Sequence, residues 1–273
     1  MPMLLFAVVF VYYPFLKTVL YSVSNVNIMG RITGFAGLEN YAYLFSRREF
    51  STALSNTLKL TALNVPITLA ITLLLARLLK NKRLFTGVFE TFIASTMAVS
   101  MGAASLIFKV LLNPTVGLFN HVLGLSIGWY QDRNTALYGI LLLTVWMGIG
   151  YNFLLFLSAF RAVPRDILDS ARMDGANAWQ VFWKMEVPLV FPTVIYMICT
   201  NTILALMTSG PILILTQGGP ARSTTTLIYL MYSTGYGSNN YSMAACVSVV
   251  TFGITLFFTI ISLYADGKKA QSL

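Results

Sequence analysis

Two groups of polar residues in this 273-residue chain could do chemistry. One is continuous: residues 164–188, PRDILDSARMDGANAWQVFWKMEVP, are polar, charged and rich in small side chains, and long apolar segments flank them. Pro164 and Asp166 suit the first turn of a helix, where a missing N–H costs nothing and a negative charge meets the positive helix end. Gly175 breaks the stretch into two short helices, and Pro188 is expected to end the second. Asp169, Asp174 and the small residues Ser170 and Ala171 would let another protein surface approach closely and pair with an acid. Recognition is the chemistry such a surface performs. The bland alternative is an amphipathic helix lying among lipid headgroups, which its acids Asp166, Asp169 and Asp174 disfavour on an anionic surface.

The second group is scattered through apolar sequence. Thr144, Met147, Gly148, Tyr151 and Asn152 fall in one apolar run, and Asn201, Ala205, Thr208 and Ser209 in another. Thr144, Gly148 and Tyr151 share one helical face, as do Asn201, Ala205 and Thr208. Hydroxyls, amides and an aromatic ring on a face suit hydrogen bonding to, and stacking on, a polyol. The same residue types also hold membrane helices to one another, and both readings stand at this point. Catalysis has no candidate set. The lone His121 lies in a loop, Cys199 and Cys246 sit in or beside apolar runs as packing thiols, and neither a metal-spaced cluster nor a nucleophile–base constellation appears.

The elements that must position these residues follow from composition. The chain is 57% hydrophobic and only 10% charged, against about 25% charged in soluble domains, so its solvent is lipid. Apolar runs near 3–23, 58–79, 88–112, 136–160, 190–215 and 242–264 each approach or exceed the roughly 20 residues that cross a bilayer. The chain opens directly in apolar sequence, with no basic region and no small-residue cleavage site, and reads as an uncleaved first span. Arg77, Lys80, Lys82, Arg83, Arg161, Arg165, Arg172, Lys184, Lys268 and Lys269 fall on one side, which the positive-inside bias makes the cytoplasm, with both termini. Arg31, Arg47, Arg48, Lys59, Arg133 and Arg222 are spread over the opposite loops. The net charge of +9 is thereby explained without nucleic acid. Pro66 is expected to kink the second span; Ala94, Ala98 and Gly102 predict a small-residue packing seam in the third. Lys17, Glu90 and Lys109 are read as snorkelling from helix ends.

Asp169-Ser170-Ala171, three residues, Gly175, nine residues, then Met185-x-Val187-Pro188 resembles the EAA signature of ATP-binding cassette (ABC) importer permeases, with conservative changes at the Glu, Ala, Ile and Leu positions. Phe35-x-Gly37-Leu38-x-Asn40-Tyr41, Asn113-Pro114 with Gly117 and Asn120, and Thr216-Gln217-Gly218-Gly219-Pro220 with Thr224-Thr225-Thr226-Leu227 resemble three further motifs of carbohydrate-uptake permeases, a family that includes maltose and glycerol-3-phosphate importer subunits. Tyr151-Asn152-Phe153 leans toward the glycerol-phosphate branch. The resemblance implies an all-α membrane protein of six transmembrane helices, the type I ABC importer (maltose-permease-like) fold, forming one transmembrane domain over 1–273. Residues 163–188 would be its cytoplasmic coupling loop, with Asp169, Ser170, Ala171, Asp174, Gly175 and Pro188 engaging an ATPase. Trp179, Phe182 and Trp183 would anchor its second helix at the base of the bundle. Thr144, Met147, Gly148, Tyr151, Ala205 and Thr208 match positions that touch substrate in maltose-type relatives, and Asn152, Asn201 and Ser209 join them as path candidates; Ala205 lacks the polar group that maltose would use.

The implied function is the permease subunit of an ATP-driven importer in a bacterial or archaeal inner membrane. A second homologous permease, two ATPase subunits and an extracytoplasmic solute-binding protein would be its partners, and the solute a sugar, or glycerol-3-phosphate or its diesters. No phosphate-cradling G-x-x-x-x-G-K-[ST] loop exists here. No cofactor is expected on this chain, and ATP and Mg would sit on the partner ATPases. An ATP-independent secondary transporter is the competing class, and it would want ionisable residues at mid-span, where almost none fall. A membrane-embedded enzyme, the third class, lacks its catalytic cluster.

Overall fold

The computed structural model describes residues 2–270, with side chains omitted at 2, 263 and 265–270. The side chains of Lys268 and Lys269 therefore lie outside the described residues. Among the described residues helices predominate, and the strands form one hairpin, β1 (Ser24–Val26) with β2 (Ile32–Phe35), paired antiparallel with Ser24 opposite Phe35.

Apolar runs long enough to cross a bilayer become helices because each backbone N–H and C=O must find its partner within the segment. Six candidate spans result if one bent pair is taken as a single span. The first is α1 (Met3–Ser22). A short α2 (Glu39–Ser46) leads to the 32-residue α3 (Arg48–Leu79), which begins ten residues before its apolar run and continues through Pro66 without interruption. At about 1.5 Å per residue it is far longer than the bilayer core requires, so it tilts or extends beyond that core.

The third run departs from expectation. It forms α4 (Thr86–Ala98) and α5 (Met101–Leu111), bent by 104° at Val99–Ser100. Ser100 is extended and its hydroxyl accepts from the Ala103 N–H, capping α5. The bend puts Ala94 and Gly102 on different helices, so the predicted small-residue seam does not form, and a Cβ on Gly102 would touch nothing within 4 Å. The tight approach lies nearby instead. A Cβ on Gly150 would come within 2.5 Å of Thr96 Oγ1 and 2.8 Å of Met97 Cγ.

A short α6 (Leu118–Leu123) precedes the fourth span, α7 (Ala136–Ala162), which packs along α3 more extensively than any other pair of elements. Next come α8 (Arg165–Met173), α9 (Ala178–Val181), a π turn over Phe182–Glu186, α10 (Val187–Leu206) and α11 (Gly210–Leu215). Pro188 does not end a helix; it occupies the first turn of α10, where proline needs no N–H partner. The fifth span therefore starts at Ala178 and reaches Leu215. Finally α12 (Leu227–Tyr232) leads to α13 (Tyr241–Ala270), which packs against α10 and α1.

The core beside residues 163–188 is apolar: Ala76, Phe153, Phe156, Phe160, Phe182 and Met197 are all buried there. The α3–α7 seam carries polar groups as well. Thr57, Thr61, Asn64, Thr68 and Thr72 form a buried stripe on α3 at three- and four-residue spacing. Asn64 donates to Thr144 Oγ1 at 2.8 Å.

Candidate functional site

Residues 163–188 fold as two short helices about Gly175, for reasons visible in the backbone. Gly175 has φ +82°, a left-handed conformation costly to any residue with a Cβ. The Ala176 N–H donates to Ala171 O and the Gly175 N–H to Arg172 O, each at 3.0 Å, which closes α8 in a Schellman turn. Two residues later Asn177 opens α9 with a capping box: its carboxamide accepts from the Trp179 and Gln180 N–H groups while Gln180 accepts from the Asn177 N–H. The turn between the helices is thus fixed by both flanking caps.

On α8, Ala171 is buried against the chain, while Asp169 and Ser170 are exposed. Asp169 pairs with Arg172 at 2.8 Å on the open surface. Met173 is 84% exposed. A groove of about 620 Å³ runs beside α8, lined by Lys80, Lys82, Arg161, Arg165, Asp169 and Arg172 among others.

The segment is clamped to the spans by charge pairs, of which sequence reading passes over one member, Glu186. Glu186 is 3% exposed and pairs with Lys80, with Arg77 Nε 3.9 Å away. Arg77 donates to Ala178 O at 2.8 Å and lies over the Phe182 ring at 3.9 Å. Arg161 grips Glu90 with both Nη atoms and donates to the Leu79 and Lys80 carbonyls that end α3. Glu90 is therefore a paired residue, not a snorkelling one. Phe182 anchors the second helix, buried against Phe160, whereas Trp179 and Trp183 are 64% and 49% exposed. The one sequence hint of Glu186 is an acid two residues before Pro188, with Lys184 the other charge in that approach.

The mid-span candidates divide in two. Asn152 and Asn201 are buried and face each other: each Nδ2 donates to the other's Oδ1, at 3.0 and 2.6 Å, and also to its own helix at Gly148 O and Met197 O. Their hydrogen-bonding capacity is spent on joining α7 to α10. Thr144 is likewise engaged with Asn64, and a Cβ on Gly148 would meet Thr68 at 3.0 Å. Met147 packs beside the Phe108 and Leu143 cluster, and Ala205 is buried. Asn152, Asn201 and Ala205 are buried, whereas Thr144, Met147 and Gly148 make these contacts while only partly buried.

Tyr151 differs. It lies beside Tyr196 on α10, a side chain 51% exposed and not singled out from sequence. Thr208 and Ser209 lie at the break between α10 and α11, partly exposed, with Thr208 O accepting from Thr226 Oγ1 at 2.9 Å. Tyr151, Tyr196, Thr208 and Ser209 are thus polar groups within the fourth and fifth spans that stay at least partly exposed.

The remaining motifs are scaffolding for the opposite end of the bundle. Asn40 donates to Ser22 O and Ser24 O. Asn120 donates to Pro114 O and Ile127 O and accepts from Trp129 Nε1. Gly218, at φ +79°, leaves no room for a Cβ beside Tyr229. Burial, and then the nearby Tyr232, push the Tyr229 phenol above its ordinary range and hold it neutral. Asn56 ties this loop to α3 by donating to Arg222 O and Thr225 O.

Comparison with known proteins is consistent with this geometry. The sn-glycerol-3-phosphate transport system permease protein UgpA of Pectobacterium atrosepticum is 32% identical over 275 residues, covering 99% of this chain and 93% of that protein. Its counterpart in Salmonella typhimurium is 30% identical over 272 residues, with 98% and 92% covered. A bacterial alginate ABC transporter, solved in complex with an alginate pentasaccharide-bound periplasmic protein, contains a chain of the same fold: TM-score 0.83 at 18% identity, over 96% of this chain and 90% of that one. A bacterial ABC transporter involved in importing the acidic polysaccharide alginate gives 0.84 at 17% identity, over 98% and 93%. The family model for binding-protein-dependent transport system inner membrane components matches residues 67–269. The match contains every polar element from α8 to the Thr208–Ser209 break, and this multi-pass membrane chain belongs to that family of transport permease components.

Proposed function

We propose that this chain is one of two permease subunits in an ATP-driven importer, and that residues 163–188 couple it to an ATPase. The observation that carries the reading is the pair of capped helices held at φ +82° on Gly175 with Asp169, Ser170 and Met173 outward, within a chain of this family. Asp169 offers a carboxylate to a basic group on the ATPase, Ser170 lets the backbones approach, and Glu186 with Lys80 and Arg77 transmits displacement of α8–α9 into α3 and α10. ATP and Mg belong to the ATPase subunits, and residues 163–188 face the cytoplasm, with both termini on that side.

Solute arrives from an extracytoplasmic binding protein and passes between this chain and a second, similar permease. Tyr151, Tyr196, Thr208 and Ser209 form this chain's half of the path. Their exposure within the fourth and fifth spans supports the two-permease arrangement, since polar groups there are costly against lipid. The solute is a sugar or a related polyol derivative such as a glycerol phosphate.

The test is Asp169→Arg in the complex reconstituted with both ATPases, the second permease and the binding protein. The complex should assemble, and solute-stimulated ATP hydrolysis and uptake should fall at least tenfold. Normal coupling in this variant would remove the docking role from α8. Uptake by this chain alone in ATP-free vesicles, driven by a proton or sodium gradient, would replace the importer with a secondary transporter.

A further inference from the structure

At the end of the bundle remote from residues 163–188 lies a cleft of about 750 Å³ between the first half of α3 and the start of α7. Its size falls within the roughly 300–1,000 Å³ of small-molecule sites. Arg48, Thr52, Ser55 and Lys59 line it from α3, at spacings of four, three and four that place them on one helical face. Arg133 and Tyr138 line it from the other wall. The lining holds three cationic side chains and no acid.

Two further facts bear on these cations. None of Arg48, Lys59 and Arg133 has an ion pair or a side-chain hydrogen bond within the described residues, whereas nearby Arg222 and Arg47 share Glu49. Lys59 also stands 20 residues before the end of α3 at Leu79, about 30 Å away along the axis, which is the thickness of the hydrocarbon core. An unpaired ammonium at that margin is expensive against lipid. Its place in a concave polar cleft keeps it in water and leaves its charge available.

We infer that this cleft binds a small solute carrying a phosphate or carboxylate group, with Lys59 and Arg133 taking the anion, and that it forms the entry to the translocation path. The inference rests on the importer reading and narrows its solute to an anionic one. Arg133 can present two parallel N–H groups to phosphate oxygens, Lys59 a point charge, and Thr52, Ser55 and Tyr138 hydroxyls to the rest of the solute. Concavity favours a small solute over a protein surface as the occupant.

The test uses the full reconstituted complex with sn-glycerol 3-phosphate and maltose as probe solutes, wild type beside Lys59→Gln/Arg133→Gln and Lys59→Arg. Wild type should take up the phosphorylated probe. At saturating binding protein the double variant should lose at least fivefold in that rate, with assembly unchanged, and Lys59→Arg should retain it. In the purified complex, millimolar inorganic phosphate should raise the melting temperature of wild type more than that of the double variant. Preference of wild type for maltose, or an equal rate and equal phosphate shift in the double variant, overturns the inference while leaving the importer intact. A double variant that needs more binding protein for half-maximal ATPase stimulation, yet reaches the wild-type rate, makes the cleft a docking surface for an acidic protein and also overturns it. Absence of ATP-driven uptake of any solute by wild type would instead strike the importer reading itself.

Discussion

Two sets of cations in this bundle, one near each end, are used in opposite ways. Beside residues 163–188, Arg77, Lys80 and Arg161 are each engaged, by Glu186, Glu90 and the last carbonyls of α3. At the other end Arg48, Lys59 and Arg133 face a cleft with no partner among the described residues. A satisfied cation is a fixed joint: moving it means separating a partly buried pair, so neighbouring elements move together. An unsatisfied cation contributes nothing to the fold and is poised for something that arrives. Stability should therefore depend on the first set and transport on the second.

The contrast is broken most directly at Glu186. Glu186→Ala leaves Lys80 partly buried without its carboxylate, and the expected loss is on the order of 3 kcal/mol, read as a fall in the melting temperature of the purified complex. A change below about 0.5 kcal/mol would mean the pair is not a joint. Gly175→Ala is milder. A Cβ at φ +82° meets no neighbour, so only backbone strain applies, about 1 kcal/mol. That loss should appear as faster proteolysis or hydrogen exchange in α8 with the spans unchanged. The smallest effect belongs to the cleft: Arg133→Gln should alter the melting temperature by less than the equivalent of about 0.5 kcal/mol. A large drop there would show the cation to be structural and would erase the difference between the ends.

Much of this is legible in the residues alone. Apolar length marks the spans, and Gly175 with its flanking polar residues marks the helix–turn–helix. What escapes is pairing across helices. Asn152 and Asn201 can each be assigned to a helix face, but periodicity does not say which faces meet, so two residues assigned to the solute path are each other's partners. The third span reads as continuous because Val99, Met101 and Gly102 are as apolar as their neighbours, and only Ser100, a good N-cap residue, marks the bend. Pro188 reads as a helix end because proline stops helices from inside, yet it also starts them. Glu186 is invisible because one acid near a membrane border has no pattern, and its meaning depends on α3 ending opposite it.

The reciprocal amides between α7 and α10 have a mechanical consequence. Each carboxamide holds the other and the preceding turn of its own helix. Sliding one helix past the other by a single residue, about 1.5 Å, would break both cross-links at once, and both amides are buried from bulk solvent. The two helices are thereby keyed like a shaft to its hub. Under the proposed coupling, a displacement of Phe182 or Ala178 would therefore be carried by α7 and α10 together, toward Tyr151 and Tyr196, rather than lost as slippage between them.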